Sequence, residues 1–252
     1  MLYYCGYTLK TFASIVFAAN ATKWQVPCHS SHDDILVFGA FGPCHCSPHS
    51  FEGRILSVNG EQSQPWTYTH RTLQIGAGSH TPFPYGAVEW INQQYHPYTG
   101  PITKNAVAYI NSHCVPQREY MADELSKHVK VIALGRCKGT SKRIVHQRIR
   151  GTWSSNPSVL AGFAYVIAAE HAQVPGYVTE KPFVALAAGA VPIYWGDDTL
   201  ARTYIRSECI LVWNASTANI VATSFLTKRH VCQHGVNLKR VNADMLWLVS
   251  KL

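Results

Sequence analysis

The feature that most narrows the fold is an alternation of strand and helix signals that begins near residue 104. Residues 106–110 form a short apolar run. The segment 117–128 then carries Met121 and Leu125, continued by Val129, at four-residue spacing, which marks one face of a helix. Residues 129–134 are again apolar and β-branched, so the spacing predicts a strand, helix, strand unit. A strand at 163–169, a helix at 180–188, a strand at 191–195 and an apolar run at 209–213 repeat the pattern. Such alternation implies an α/β architecture, a parallel sheet covered by helices. In these sheets ligands bind beyond the carboxyl ends of the strands, so the loops at 111–118 and 170–181 become the candidate site.

The first half of the chain is less regular. Strands are expected at 34–38 and 54–58, with few helical patterns, and nothing long is expected to follow Trp213. The stretch 95–103, with two prolines and a glycine, reads as a linker. A division into lobes at 1–100 and 104–252 follows, the first of them reduced.

Composition enters as a filter. At 47% hydrophobic and 14% charged residues, the chain is far from the disordered class. Its net charge of +8 favours an anionic partner. The densest basic stretch, 138–150, holds Lys138, Lys142, Arg143, Arg148 and Arg150, which by themselves read as a solvated loop. Stacking aromatics interleaved with the cations are lacking, so a nucleic-acid partner is not expected. Eight cysteines are too dilute for a disulfide scaffold and leave the redox compartment open. The apolar stretch at 12–20 is about half of a bilayer span, so no membrane-crossing helix is expected.

The segment that carries chemistry is GYVTEKPFVALAAGAVPIYWGD, residues 176–197. Thr179 suits a helix N-cap, Glu180 suits the positive end of the helix dipole, and Pro182 is tolerated in a first turn. Gly189 should end that helix. Lys181 is out of place, because a cation at a helix start is unfavourable unless an anion lies nearby; a bound phosphate would supply one. Asp197 and Asp198 read as the N-cap of a helix over 199–205 rather than as metal ligands.

This segment resembles the donor-binding signature of the α1,3/α1,4-fucosyltransferases, which read YxTEK, a helix, then a G-x-V-P-[IV]-Y-x-G strand. AYINSHCVPQREYMADELSKHVKVIALGRCKG, residues 108–139, is similar to that family's strand, arginine-bearing helix, strand and Gly-Arg/Lys-Cys segment. A looser likeness joins ILVFGAFG and RILSVNGEQSQPW, within 35–66, to its first lobe. The resemblance implies two Rossmann-like lobes of the GT-B type. It implies an inverting transfer of fucose from GDP-fucose to a hydroxyl of an acceptor oligosaccharide or glycoprotein glycan, with an α1,3 linkage to GlcNAc. By position, Glu61 would be the general base and Glu180 the carboxylate beside the fucose ring. Arg118 and Lys181 would contact the diphosphate, with Tyr177, Thr179 and Glu170 completing the donor site.

The chemistry agrees: inversion needs one base for the acceptor proton, while a nucleoside diphosphate leaves without a general acid if cations hold its charge. No cofactor is called for beyond the donor, and metal dependence is left open. Two departures stand out. Glu170-His171-Ala172 replaces the family's Glu-Asn-Ser, and Gln62 stands where Asn follows the base. Another nucleotide sugar, or binding without catalysis, remain as alternatives.

Overall fold

A computed structural model describes residues 2–5, 31–39, 51–59, 72–76, 84, 87, 97–151, 156–214, 216–227, 232 and 235–251. The chain divides into two units, one comprising Met1–Gln94, Val174–Glu180 and Leu238–Leu252, the other Tyr95–Gln173 and Lys181–Asn237.

The first unit contains a four-stranded sheet in the order β1-β2-β3-β4, from β1 (Leu2–Cys5), β2 (Ile35–Gly39), β3 (Arg54–Asn59) and β4 (Thr72–Gly76). Every neighbouring pair is parallel. Successive strand residues point to opposite faces, and Leu36 and Val37, like Ile55 and Leu56, are buried in succession, so both faces of the sheet are covered. The expected strands at 34–38 and 54–58 are thus present.

The second unit holds β5 (Lys104–Tyr109), α1 (Pro116–Leu125), β6 (Val131–Ala133), β7 (Val145–His146) and α2 (Asn156–Leu160). They are followed by β8 (Phe163–Ala169), α3 (Lys181–Ala187), β9 (Val191–Trp195), α4 (Asp198–Tyr204), β10 (Leu211–Val212) and α5 (Thr217–Thr227). A last helix, α6 (Leu238–Lys251), groups with the first unit. The six-stranded sheet runs β10-β9-β8-β5-β6-β7, parallel throughout. All of β8 is buried, as a central strand between helical layers must be.

Several expectations are revised. Two helices follow Trp213, where little was expected. The basic stretch is not simply a loop, since Val145–His146 pairs with β6 as an edge strand. The linker is anchored: Tyr98 N–H donates to Ala187 O at 2.8 Å, and its hydroxyl donates to Pro101 O at 3.1 Å. The cysteines, expected to form no scaffold, form two disulfides among the described residues, Cys114–Cys137 and Cys209–Cys232.

The punctuation of α3 shows why the local sequence folds as it does. At its end Gly189 has φ 72°, its N–H donates to Leu186 O, and Ala190 N–H donates to Ala185 O. This pair of bonds is a Schellman closure, which needs a residue tolerant of the left-handed region. Asp197 caps α4 by accepting from Leu200 N–H at 3.1 Å, so the Asp197-Asp198 pair serves a helix start as expected.

Candidate active site

In the second unit β5 lies between β6 and β8, and α1 leads from β5 to β6 while α3 leads away from β8 in the other direction. The connections therefore diverge at β5 and β8, and their carboxyl ends frame the crevice where α/β sheets bind ligands.

Arg118 sits on the first turn of α1 and is only 4% exposed. Its Nε donates to Ala169 O at 2.9 Å and Glu170 O at 3.1 Å, and its Nη1 donates to His113 O at 3.2 Å. A guanidinium can hold several carbonyls at once because its donors are fixed in a planar fork. Arg118 thus ties the loop after β5 to the end of β8.

Glu170, the first residue past β8, is fully buried, and its N–H donates to Trp195 O at 2.8 Å. Its Oε2 accepts from Lys181 Nζ at 3.2 Å, and the lysine keeps 23% of its side chain exposed. The anion that Lys181 requires at the start of α3 is therefore supplied by the protein itself. Gly196 allows this approach: a Cβ there would lie 2.7 Å from Glu170 Cγ and 2.4 Å from the Tyr194 hydroxyl.

Beside these groups a cavity of about 250 Å³ opens over the ends of β5 and β6. Its walls are Ile110, Asn111 and Ser112 from one loop, Leu134, Gly135 and Arg136 from the next, and Arg148, Ile149, Gly151 and Asn156 beyond β7. The loops are braced: Cys137 N–H donates to Asn111 O at 3.0 Å, and the Cys114–Cys137 disulfide joins the same two loops. From α1, Glu119 accepts from Gly139 N–H at 2.8 Å and from the Tyr109 hydroxyl. Burial and the adjacent Glu119 carboxylate push Tyr109 ionisation far upward, so it stays a neutral donor. Asp123 Oδ1 accepts from the N–H groups of Thr140 at 2.8 Å and Ser141 at 2.9 Å. Burial opposes its ionisation, but these bonds and the Thr140 hydroxyl hold its pKa below the ordinary carboxylate value.

The structure thus brings Arg118, Glu170 and Lys181 together. Tyr177 and Thr179 are buried and Glu180 is half-buried, all within the segment 174–180 that groups with the first unit. Glu61 lies outside the described residues. Of the cavity residues, Asn111 lies in the loop 111–118 expected to hold the site, whereas Arg136 and Arg148 were not singled out as site residues, although Arg148 belongs to the basic stretch. Among the described residues, the one cluster with metal-ligand residue types is Cys114, Glu119 and Cys137, whose sulfurs are joined as a disulfide and offer no thiolate. No described helix is long and apolar enough to cross a membrane.

The model of the glycosyltransferase family 10 (fucosyltransferase) C-terminal region matches residues 101–234, more than half of the chain and all of this site apart from its flanks. The chain belongs to glycosyltransferase family 10. A relative from Acanthamoeba polyphaga mimivirus is 28% identical over 178 residues, 66% of this chain and 29% of that protein. GDP-fucose protein O-fucosyltransferase 3 of Xenopus tropicalis is 33% identical over 96 residues, 36% of this chain and 20% of that protein. The chain therefore spans less than a third of the length of these curated relatives. A crystal structure of an α1,3-fucosyltransferase with GDP superposes with TM-score 0.60 at 13% identity, covering 99% of this chain and 89% of that one. The fold is that of the GT-B fucosyltransferases, α/β with Rossmann-like parallel sheets.

Proposed function

We propose that this family 10 chain transfers fucose from GDP-fucose to an acceptor glycan hydroxyl with inversion at the anomeric carbon. The observation that carries the reading is the Arg118, Glu170 and Lys181 constellation at the carboxyl edge of β5 and β8, beside a cavity with Arg136 and Arg148 on its wall. Solved relatives in this fold carry GDP and GDP-fucose.

In this reading the cavity takes the nucleotide end of the donor. Lys181, held at the entrance of α3 by Glu170, draws in the diphosphate, and Arg118 keeps the surrounding carbonyl-lined loops in register. The acceptor oxygen attacks the anomeric carbon as the bond to the diphosphate oxygen breaks. The electron pair leaves with GDP, whose charge the cations stabilise. Glu61 removes the acceptor proton, and Glu180, next to Lys181 in the chain, offsets positive charge on the ring. Alignment of the reacting groups supplies a further part of the rate. The acceptor reading is an α1,3 linkage to GlcNAc.

The test is a transfer assay with GDP-fucose and a panel of GlcNAc-terminated acceptors, with linkage analysis of the product. Transfer should occur with inversion and fall by roughly 100-fold or more in Glu61→Gln while GDP-fucose binding persists. Unchanged transfer in that variant removes Glu61 from its role.

A further inference from the structure

The basic stretch is more concentrated in the fold than in the sequence. Residues 136–150 contain Arg136, Lys138, Lys142, Arg143, Arg148 and Arg150 and no acidic residue, six cations in a chain whose net charge is +8. All six are exposed, and among the described residues none enters an ion pair. The carboxylates that do reach this segment, Glu119 and Asp123, are engaged by the backbone N–H groups of residues 139–141. Its charge therefore faces solvent uncompensated.

The geometry is that of a rail. β7 is the edge strand, and extended pairing to β6 continues past it, with Gln147 N–H donating to Ala133 O and Ile149 N–H to Leu134 O. Arg150 follows two residues after Arg148 on this stretch and is exposed like it. The rail ends on the cavity, because Arg136 and Arg148 line its wall.

Cations often guard an edge strand against pairing with another chain. That role needs only the strand, whereas Lys138, Lys142 and Arg143 precede it. The donor nucleotide accounts for the cavity arginines but not for the remaining four cations. An anionic bilayer would fit poorly, because the apolar groups offered are only Val145 and Ile149, at 36% and 37% exposure, and a flat surface would cover the cavity mouth. No Phe, Trp or Tyr lies within 136–150 to stack on nucleobases. Clustered Lys and Arg side chains without stacking aromatics suit the sulfate groups of polysaccharides of the heparin type.

We propose that the strip Lys138, Lys142, Arg143 and Arg150, continuous with the cavity lip, docks an acceptor glycan bearing sulfate groups. The acceptor role rests on the transferase reading; the glycan contact does not.

The test compares the chain with a Lys138→Gln/Lys142→Gln/Arg143→Gln/Arg150→Gln variant, none of whose positions belongs to the proposed donor site. Calorimetry with a chondroitin sulfate oligosaccharide and its desulfated counterpart should show at least about tenfold preference for the sulfated form, lost in the variant and weakened by salt. GDP-fucose affinity should be the same in both proteins, which also reports that the variant is folded. Equal binding of the sulfated probe by both proteins would overturn the proposal. So would strip-dependent binding to phosphatidylserine vesicles without discrimination between the two oligosaccharides. If the sulfate preference is present but no acceptor is ever fucosylated, the glycan contact stands and the transferase reading falls.

Discussion

Lys181 Nζ lies 3.2 Å from Oε2 of Glu170, a carboxylate with no solvent exposure. The two residues are eleven positions apart and meet because β8 and α3 are joined by a loop that returns to the carboxyl edge of the sheet. Breaking such a pair by removing one partner costs about 3–5 kcal/mol when both are fully buried. Because Lys181 keeps 23% exposure, Lys181→Met should cost about 2 kcal/mol in urea unfolding, below that range. The Glu170→Gln/Lys181→Met double variant should lose less than the sum of the two single changes. Strict additivity would show that the pair is not coupled.

Arg118→Lys keeps the charge but loses the fork that reaches the carbonyls of His113, Ala169 and Glu170. It should lower stability by about 1.5–3 kcal/mol and weaken GDP-fucose binding together. Calorimetry paired with thermal unfolding checks this. Weaker binding with unchanged stability would mean that Arg118 acts on the donor alone, without organising the loops.

Asp123 has a depressed pKa in the folded state, so its contribution to stability is present above the ordinary carboxylate range and is lost as pH falls toward its lowered folded value. Asp123→Asn should therefore be less stable than the parent at neutral pH, by about 1–3 kcal/mol, with the difference shrinking in acid. Urea titrations across that interval provide the measurement, and a difference independent of pH would contradict the assignment.

Cys114–Cys137 and Cys209–Cys232 have the same sequence separation, 23 residues, and each should stabilise the fold by about 3 kcal/mol on a chain-entropy basis. Their effects on the donor should differ. Cys114→Ser/Cys137→Ser loosens two walls of the cavity and should raise the GDP-fucose Kd several-fold, whereas Cys209→Ser/Cys232→Ser should leave it nearly unchanged. Equal effects on binding would mean that the cavity needs no local brace.

Much of this was legible in the sequence where local signals decide structure. The strands at 163–169 and 191–195 match β8 and β9 because their ends are marked by glycine and by polar turns. The helix start near Lys181, its end at Gly189 and the Asp197 cap follow from side-chain and backbone chemistry within a few residues. What was missed depends on partners distant in sequence. Eight cysteines carry no pairing rule, so Cys114–Cys137 emerges only when the loops after β5 and β6 lie side by side. Its place at a helix start marks Lys181 as needing an anion, but no local pattern names Glu170. Helix α6 carries a readable signal in Leu238, Val241, Met245 and Leu248 at helical spacing.

The central question is whether the site of Arg118, Glu170 and Lys181 recognises GDP-fucose. Calorimetric titration of the purified chain with GDP-fucose, and with other nucleotide sugars as competitors, measures this without needing the acceptor. We expect saturable binding of GDP-fucose, weakened at least about tenfold by Lys181→Met, since loss of a charge-assisted contact to a phosphate is of that order. Tight binding of a different nucleotide sugar with none of GDP-fucose would contradict the account.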